Sequence, residues 1–458
     1  MLNRPFLNIG LLCLSLVLAA CSNTEKRKDY AELAQQELDS TSKTKTSQWQ
    51  TMDNVVPASY LTDLIQDEQL NSLITQALEA NPSLQKTQLT LQASLWSLKS
   101  QQGDSLPSVE AGFSGNKSEG SDTDYKASLS ISWEADLWQK LAQAEQASAK
   151  TLASDEALYQ ASRDTLVANV VKTWLAITAK QHAIDIEQKR LKLLEANEQL
   201  ILKRFKNGLG NLEELDESRT STSQSKADLV EYKENLAIEI RNLQLYLGKT
   251  DSLSFITNQN YPDVSLTLSD LPQQNLQRRP DLKAAYLTIE AADLNTSVAY
   301  KDMLPSISLS ATLSETAASP RAALFGSPIW SLLAQITQPL YQGGQLKAAA
   351  EIAKLKTAQA YQDYRDTLLT AVNEVENTLG QERVLSQQVR HINEALFSAK
   401  KNLTQYEKKY RTGLVELNDL INAQTTAFDL EAQLDNLIYQ HLSNRVDLGL
   451  ALGLGVKP

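Results

Sequence analysis

Residues 137–206, LWQKLAQAEQASAKTLASDEALYQASRDTLVANVVKTWLAITAKQHAIDIEQKRLKLLEANEQLILKRFK, run for 70 residues without a glycine or a proline. Ala, Leu, Gln, Lys and Glu dominate the stretch, a composition that favours helix from end to end. At 1.5 Å per residue a single helix of that length spans about 100 Å. No globular domain of ordinary size holds such a helix, so the chain must build an extended coiled-coil assembly. The stretch stops at Asn207-Gly208-Leu209-Gly210, where a glycine can take the left-handed conformation that ends a helix. Helical spacing resumes over 212–247.

The same turn recurs. Arg204-Phe205-Lys206-Asn207-Gly208-Leu209 answers to Lys409-Tyr410-Arg411-Thr412-Gly413-Leu414, and Leu212 and Leu215 answer to Leu417 and Leu420. Upstream, Asn81-Pro82-Ser83-Leu84 answers to Arg279-Pro280-Asp281-Leu282, and Leu106-Pro107-Ser108 to Leu304-Pro305-Ser306. Anchors in the same order with constant local offsets indicate a duplication of about 200 residues rather than shared composition.

Each copy reads helix, strand, loop, strand, long helix, tight turn, helix. In repeat 1 (62–248) helical spacing covers 62–104 and alternation marks strands at 106–114 and 125–135, a hairpin (106–135) with the polar tip Asn116–Asp122. In repeat 2 (275–452) strands fall near 304–314 and 329–338, a hairpin (304–338) whose loop holds Pro320, Gly326 and Pro328; helices follow over 345–411 and 416–452. Laid end to end, the two shorter helices of a copy roughly match its long one. Segments 21–61, 249–274 and 453–458 are expected to be an irregular N-terminal region, an irregular linker around the waist and a short tail.

Strands of about ten residues have the length of a tilted membrane strand. Phe113, Tyr125, Trp133 and Trp330 lie at strand ends, where interface girdles place aromatics. Four strands cannot close a barrel with a usable lumen, and open edges are not tolerated in lipid. Oligomerisation must close it.

Residues 1–20 read as a secretory signal: Arg4, an apolar run from Phe6 to Leu18 too short to span a bilayer, then Leu18-Ala19-Ala20-Cys21. The small residues before Cys21 suit cleavage in front of a cysteine that is then acylated; the bland alternative is an ordinary signal with a chance cysteine. Removal of the segment also removes Cys13, leaving Cys21 as the sole cysteine and no intramolecular disulfide. The net charge of −11 becomes −12 without Arg4, and no basic cluster stands out, so nucleic acid is not a partner.

Several motifs together resemble the TolC-like outer-membrane factors, in particular the OprM/NodT-like lipoprotein branch that serves resistance-nodulation-division (RND) drug pumps. They are Arg278-Arg279-Pro280-Asp281-Leu282, Leu304-Pro305-Ser306, Trp133-Glu134-Ala135-Asp136-Leu137-Trp138, Gln338-Pro339-Leu340-Tyr341-Gln342-Gly343-Gly344 and the turns at Gly208 and Gly413. Ser83 and Gln139 depart from the Asp and Gly common there. The resemblance implies a mixed α/β membrane fold: a homotrimer with a twelve-stranded β-barrel in the outer membrane, four strands per chain, continuous with a periplasmic α-helical coiled-coil barrel. It further implies a lipid anchor at Cys21, outer-membrane sorting with Ser22 next to it, a periplasmic adaptor (membrane fusion) protein and an inner-membrane RND-type pump as partners, and no cofactor or metal. The expected function is efflux of drugs or other small molecules. The alternatives are a type I protein-secretion duct and a non-conducting structural coiled coil.

A duct performs no bond chemistry. Its functional residues are expected at the anchor, at an adaptor-docking tip (Asn207, Gly208, Leu209, Gly210, Thr412, Gly413, Leu414, Val415) and at a periplasmic gate (Asp419, Glu214, Glu217, with Glu213 nearby). Lumen-facing acids become rings of three in a trimer. Asp419, six residues after Gly413, matches a constriction aspartate of the family, while Asn422 departs from a second acidic position. Contacts of Arg204, Lys206, Lys409 and Arg411 with nearby acids are expected to hold a closed state. His182, His391 and His441 are isolated in helical tracts and read as surface positions, with no metal-ligand spacing, phosphate loop or nucleophile elbow to suggest an enzyme. Met52 and Met303, the only methionines beyond the signal, offer no thioether relay for metal export.

Overall fold

A computed structural model describes residues 28–49, 60–120, 122–251, 260–264 and 272–456. Cys21 lies outside the described residues. Repeat 1 comprises α2 (Glu68–Ala80), α3 (Pro82–Gly103), β1 (Ser108–Asn116), β2 (Asp124–Glu134), α4 (Lys140–Lys206) and α5 (Leu212–Tyr246). Repeat 2 comprises α6 (Pro272–Arg278), α7 (Pro280–Lys301), β3 (Ser306–Ala317), α8 (Pro320–Phe325), β4 (Ile329–Thr337), α9 (Gln345–Arg411) and α10 (Leu417–Ala451). A further helix, α1 (Tyr30–Trp49), precedes both.

The duplication holds to the residue: α3 and α7 have 22 residues each, α5 and α10 have 35, and α4 and α9 have 67. α3 and α5 lie along α4; α7 and α10 lie between α4 and α9. Each chain therefore presents four helical columns side by side: stacked α3/α5, continuous α4, stacked α7/α10, continuous α9.

The stacked columns are spliced at equivalent joints. Asn81 accepts from the Leu84 N–H at 3.0 Å, capping α3, and its Nδ2 donates to the Tyr246 carbonyl at the end of α5, 2.9 Å away. Arg279 stands at the same place in repeat 2, and its Nη1 donates to the Ala451 carbonyl at the end of α10, 3.1 Å away. Carbonyls that a helix end leaves open are satisfied by the start of the next helix.

Three expectations need correction. The helix expected over 62–104 is interrupted: a 3-10 turn at Leu61–Asp63 precedes α2, and the chain breaks again at Asn81, whose extended backbone (φ −67°, ψ 120°) is what the residue before a proline adopts. The N-terminal segment expected to be irregular contains α1, and α6 begins at Pro272, inside the linker expected to be irregular; α1 is helical because Ala34 and Leu38 bury against Leu276, Leu282 and Leu368, partners distant in sequence. The second hairpin loop contains α8, started by Ser319, whose hydroxyl accepts from the Ala322 N–H.

The core concentrates at the waist. Trp174, Val167, Val170 and Ile177 of α4 pack with Leu70 and Ile74 of α2, Leu243 of α5 and Val446 of α10. A second cluster joins α1, α7, α9 and α10 around Ile289, Leu368 and Val375. A small third cluster, Ile201 of α4, Leu215 of α5 and Leu417 and Leu420 of α10, with the half-buried Leu403, Tyr406 and Tyr410 of α9 against it, ties the four columns together near the turns.

Candidate functional site

The sheet has the order β1-β2-β3-β4, all antiparallel, so β2 and β3 join the two repeats while β1 and β4 are open edges. Register sorts the side chains into two faces. On one, Val109 lies opposite Ile131, Leu129 opposite Leu313, Trp133 opposite Leu309, and Leu313 opposite Trp330. On the other, Ser108 lies opposite Ser132, Ser130 opposite Thr312, and Ser128 opposite Ser314. This alternation of an apolar and a hydroxyl-rich face belongs to a barrel with lipid outside and water inside. Among the described residues no helix is long and apolar enough to cross a membrane.

Aromatics sit at both ends of the apolar face. Phe113 and Tyr125 stack at 6.2 Å near the loop, and Trp330 is the second residue of β4. At the helical end the Trp133 indole N–H donates to the Ser105 carbonyl, and that of Trp138 to the Pro305 carbonyl. The sequence signal for Trp138 was its place after β2, one residue before Gln139. Gln139 is the only described non-glycine residue with positive φ, +57°, at the position that Gly344 (φ +83°) fills in repeat 2.

The two open edges continue downward as two unpartnered helical flanks. The α3/α5 column exposes Leu89, Trp96, Val230 and Leu245; α9 exposes Ile352, Leu355, Leu369 and Phe397. One flank lies below β1 and the other below β4. A surface of this kind at each end of a curved layer is heterologous and closes into a ring when copies follow one another by rotation.

The far ends of the columns are built from two copies of one motif. After α4 the Leu209 N–H donates to the Arg204 carbonyl (2.9 Å) and the Gly208 N–H to the Phe205 carbonyl (3.0 Å), with Gly208 at φ +71°. After α9, Leu414 and Gly413 make the same bonds to Lys409 and Tyr410, with φ +70° at Gly413. These are Schellman turns. Leu209 and Leu414 are exposed, 69% and 74%; Asn207 and Thr412 are exposed, and Gly210 and Val415 are half-buried.

The acids expected to form a gate take helix-start positions as well. Asn211 caps α5 by accepting from the Glu214 N–H at 2.8 Å, and Asn211 Nδ2 donates to Glu214 Oε1 at 3.2 Å. Asp419, the counterpart of Glu214, accepts from the Glu416 N–H at 3.2 Å at the start of α10. Both carboxylates are therefore partly committed to holding a first turn. Asp419, Glu213 and Glu217 are exposed; Glu214 is half-buried. The four cations expected to hold a closed state form no ion pair among the described residues; Arg204 donates to its own turn at the Leu209 carbonyl, and the Lys409 ammonium lies 5.7 Å from the Tyr406 ring centre.

Two histidines are not surface positions, contrary to the sequence reading. His182 of α4 meets Asp435 of α10 at 2.8 Å, where the Tyr261 hydroxyl also donates to Asp435 at 3.0 Å. His441 of α10 meets the buried Glu382 of α9 at 2.8 Å beside Arg445. Burial alone would raise the Glu382 carboxyl, but His441 and Arg445 outweigh it and hold it below the ordinary carboxylate range. Only His391 is exposed. Nothing short of the tertiary structure brings these partners together, being 59 and 253 residues apart.

Among the described residues no group of His, Cys, Asp and Glu side chains is arranged to hold a metal ion. Comparison with known proteins adds the following. The family profile described as "Outer membrane efflux protein" matches residues 73–249 and 271–454. The probable outer membrane lipoprotein SilC of Salmonella typhimurium is 26% identical over 402 residues, 85% of this chain and 86% of its own. The cation efflux system protein CusC of Escherichia coli strain K12 is 25% identical over 454 residues, 97% of this chain and 98% of its own. A crystal structure of CusC, in work on its folding and transmembrane channel formation, superposes with a TM-score of 0.80 at 22% identity, covering 87% of this chain and 95% of that one.

Proposed function

This chain belongs to the outer membrane efflux protein family, and from that premise we propose that three copies close into an outer-membrane duct passing small molecules from a periplasmic adaptor and an inner-membrane RND-type pump to the exterior. The observation that carries the reading is the coincidence of edges and flanks: β4 and the apolar side of α9 lie at one end of the chain's layer, β1 and the apolar side of α3/α5 at the other. A copy placed next in the ring pairs β4 with β1 and covers both flanks in one docking step. Three copies give twelve strands and twelve columns, the number supplied by the family.

In this reading Cys21 carries the lipid that tethers the chain to the inner leaflet of the outer membrane. The turns at Asn207–Gly210 and Thr412–Val415 are the adaptor-docking tip: Leu209 and Leu414 offer apolar contacts at the end of a rigid column. Asp419, Glu214 and Glu217 form the gate, where charges of three chains converge. Since Asp419 also caps α10, charge and cap must be separated by experiment.

Reconstitution in planar bilayers tests the function. Discrete single-channel steps are expected; a folded trimer with no conductance would leave only a structural coiled coil. Asp419→Ala is expected to raise conductance and weaken block by multivalent cations. Asp419→Asn, which keeps the acceptor for the Glu416 N–H, is expected to do the same if charge is the cause. Normal block in the Asn variant would assign Asp419 to capping alone. In cells, Gly413→Glu is expected to abolish export without dissociating the trimer, and export at the normal level would remove the docking role of the tip.

A further inference from the structure

The hydroxyl-rich face of the sheet carries Glu110, Asp124, Lys126 and Glu134, with Asp124 and Lys126 together at the loop end of β2, and these charges are unevenly neutralised. Glu134, at the helical end of β2, is held by Lys140 at 2.9 Å. Lys126 lies toward the loop end of β2, opposite Ser114 and Thr316. Between them lies Glu110, exposed, on the same face as Ser108 and Ser132, whose hydroxyls meet at 2.8 Å. Register places Glu110 opposite Ser130, Ser130 opposite Thr312, and Thr312 opposite Ser331, a row that crosses the middle of β2 and β3. Among the described residues no ion pair forms at Glu110. Lys126 is four residues along β2 from the Ser130 position, about 13 Å at the rise of an antiparallel strand, beyond direct pairing. The duplicated position in repeat 2, 198 residues on, is Ser308, so the acid is a feature of one repeat only.

We infer that Glu110 forms a second charge filter: a ring of three carboxylates midway through the outer-membrane stretch of the duct, favouring cations independently of the acids at the periplasmic tip. The inference rests on the trimeric duct proposed above. Charge rings in a narrow water-filled passage attract counter-ions and repel co-ions. The neutral hydroxyl wall around Glu110 leaves its charge uncompensated, and at physiological salt its field reaches about 8 Å into the lumen. The efflux path then meets two acidic stations, one at each end of its length, separated by the long helical columns. Molecules that carry positive charge are favoured at the exit as well as at the entrance.

The test uses the full-length trimer in planar bilayers, with hexaamminecobalt(III) added to one side at a time. With Glu110→Gln, the concentration needed for block from the outer side is expected to rise roughly twofold or more, as expected for removal of one screened charge ring, while block from the periplasmic side stays as in the unsubstituted trimer. Glu110→Lys is expected to shift outer-side block further and move the reversal potential in a KCl gradient toward anion preference. Unchanged outer-side block and unchanged reversal potential in both variants would overturn the inference, as would equal loss of block from both sides, which would mean that the substitution acts through the tip. If the unsubstituted trimer does not conduct, the duct itself fails, a result distinct from a conducting channel indifferent to residue 110.

Discussion

Four Schellman turns end α4, α9, α5 and α10, the first two at the tip and the last two at the waist, and their surroundings could hardly differ more. At the tip, a Cβ added to Gly208 or Gly413 meets nothing within 4 Å. At the waist, one added to Gly248 lies 2.3 Å from the Ala80 carbonyl oxygen, and one added to Gly453 lies 3.1 Å from the Arg279 nitrogen and the Asn275 oxygen. All four have positive φ, between +63° and +77°. The waist turns are clamped by the chain around Ala80–Pro82 and Asn275–Arg279, while the tip turns face open space. The same backbone motif serves as a splice at the waist and stands free at the tip, where the proposed adaptor docking would use it.

Substitutions at matched positions sharpen this contrast. Gly248→Ala is expected to cost about 3 kcal/mol or more, since the new Cβ collides with backbone as well as requiring left-handed geometry. The measurement is the heat-dissociation temperature of the detergent-extracted trimer. Arg279→Ala comes next, at about 2–4 kcal/mol, since it breaks the contacts of a buried guanidinium whose partners Asp281 and Glu374 are themselves part-exposed. Asn81→Ala, which removes a neutral cap and one bond across the joint, is expected to cost about 1–2 kcal/mol. Gly208→Ala should cost only about 1 kcal/mol, the left-handed penalty alone. Equal losses at Gly248 and Gly208 would erase the distinction between splice and tip.

The His441–Glu382–Arg445 contact between α9 and α10 carries a pH dependence. Because the folded protein holds the Glu382 carboxyl below its unfolded value of about 4.3, the contribution is complete above that pH and is lost as pH falls through the depressed folded value. Melting temperature in the acid range should therefore fall less steeply in Glu382→Gln than in the unsubstituted chain. Parallel acid limbs would show that Glu382 does not carry this linkage.

The features legible in the sequence are those fixed by local chemistry. The absence of glycine and proline over 137–206 sets the long helix, and Gly208 and Gly413 set the turns. Alternation in 125–135 sets a strand and its two faces, and repetition at constant offset sets the duplication. What escaped the sequence depends on distant partners. α1 is a weakly amphipathic polar stretch until Leu38 meets Leu276 and Leu368. Asn81-Pro82 was visible as a repeat anchor, yet its role as a splice appears only when the end of α5 arrives beside it. His182 and His441 look solitary along the chain because their carboxylates lie on other helices. Asp419 and Glu214 stand out by their place just past the turns and, for Asp419, by the family resemblance, but nothing along the chain shows that each also holds the first turn of its helix.

Closure of the ring is the claim on which the rest depends. Single-particle imaging of the lipidated chain in a nanodisc tests it most directly. The account predicts a threefold ring in which β4 of each copy pairs with β1 of the next and α9 packs against the neighbouring α3/α5 column. Images of single chains, of a ring with another number of copies, or of rings in which β1 and β4 remain unpaired would contradict it.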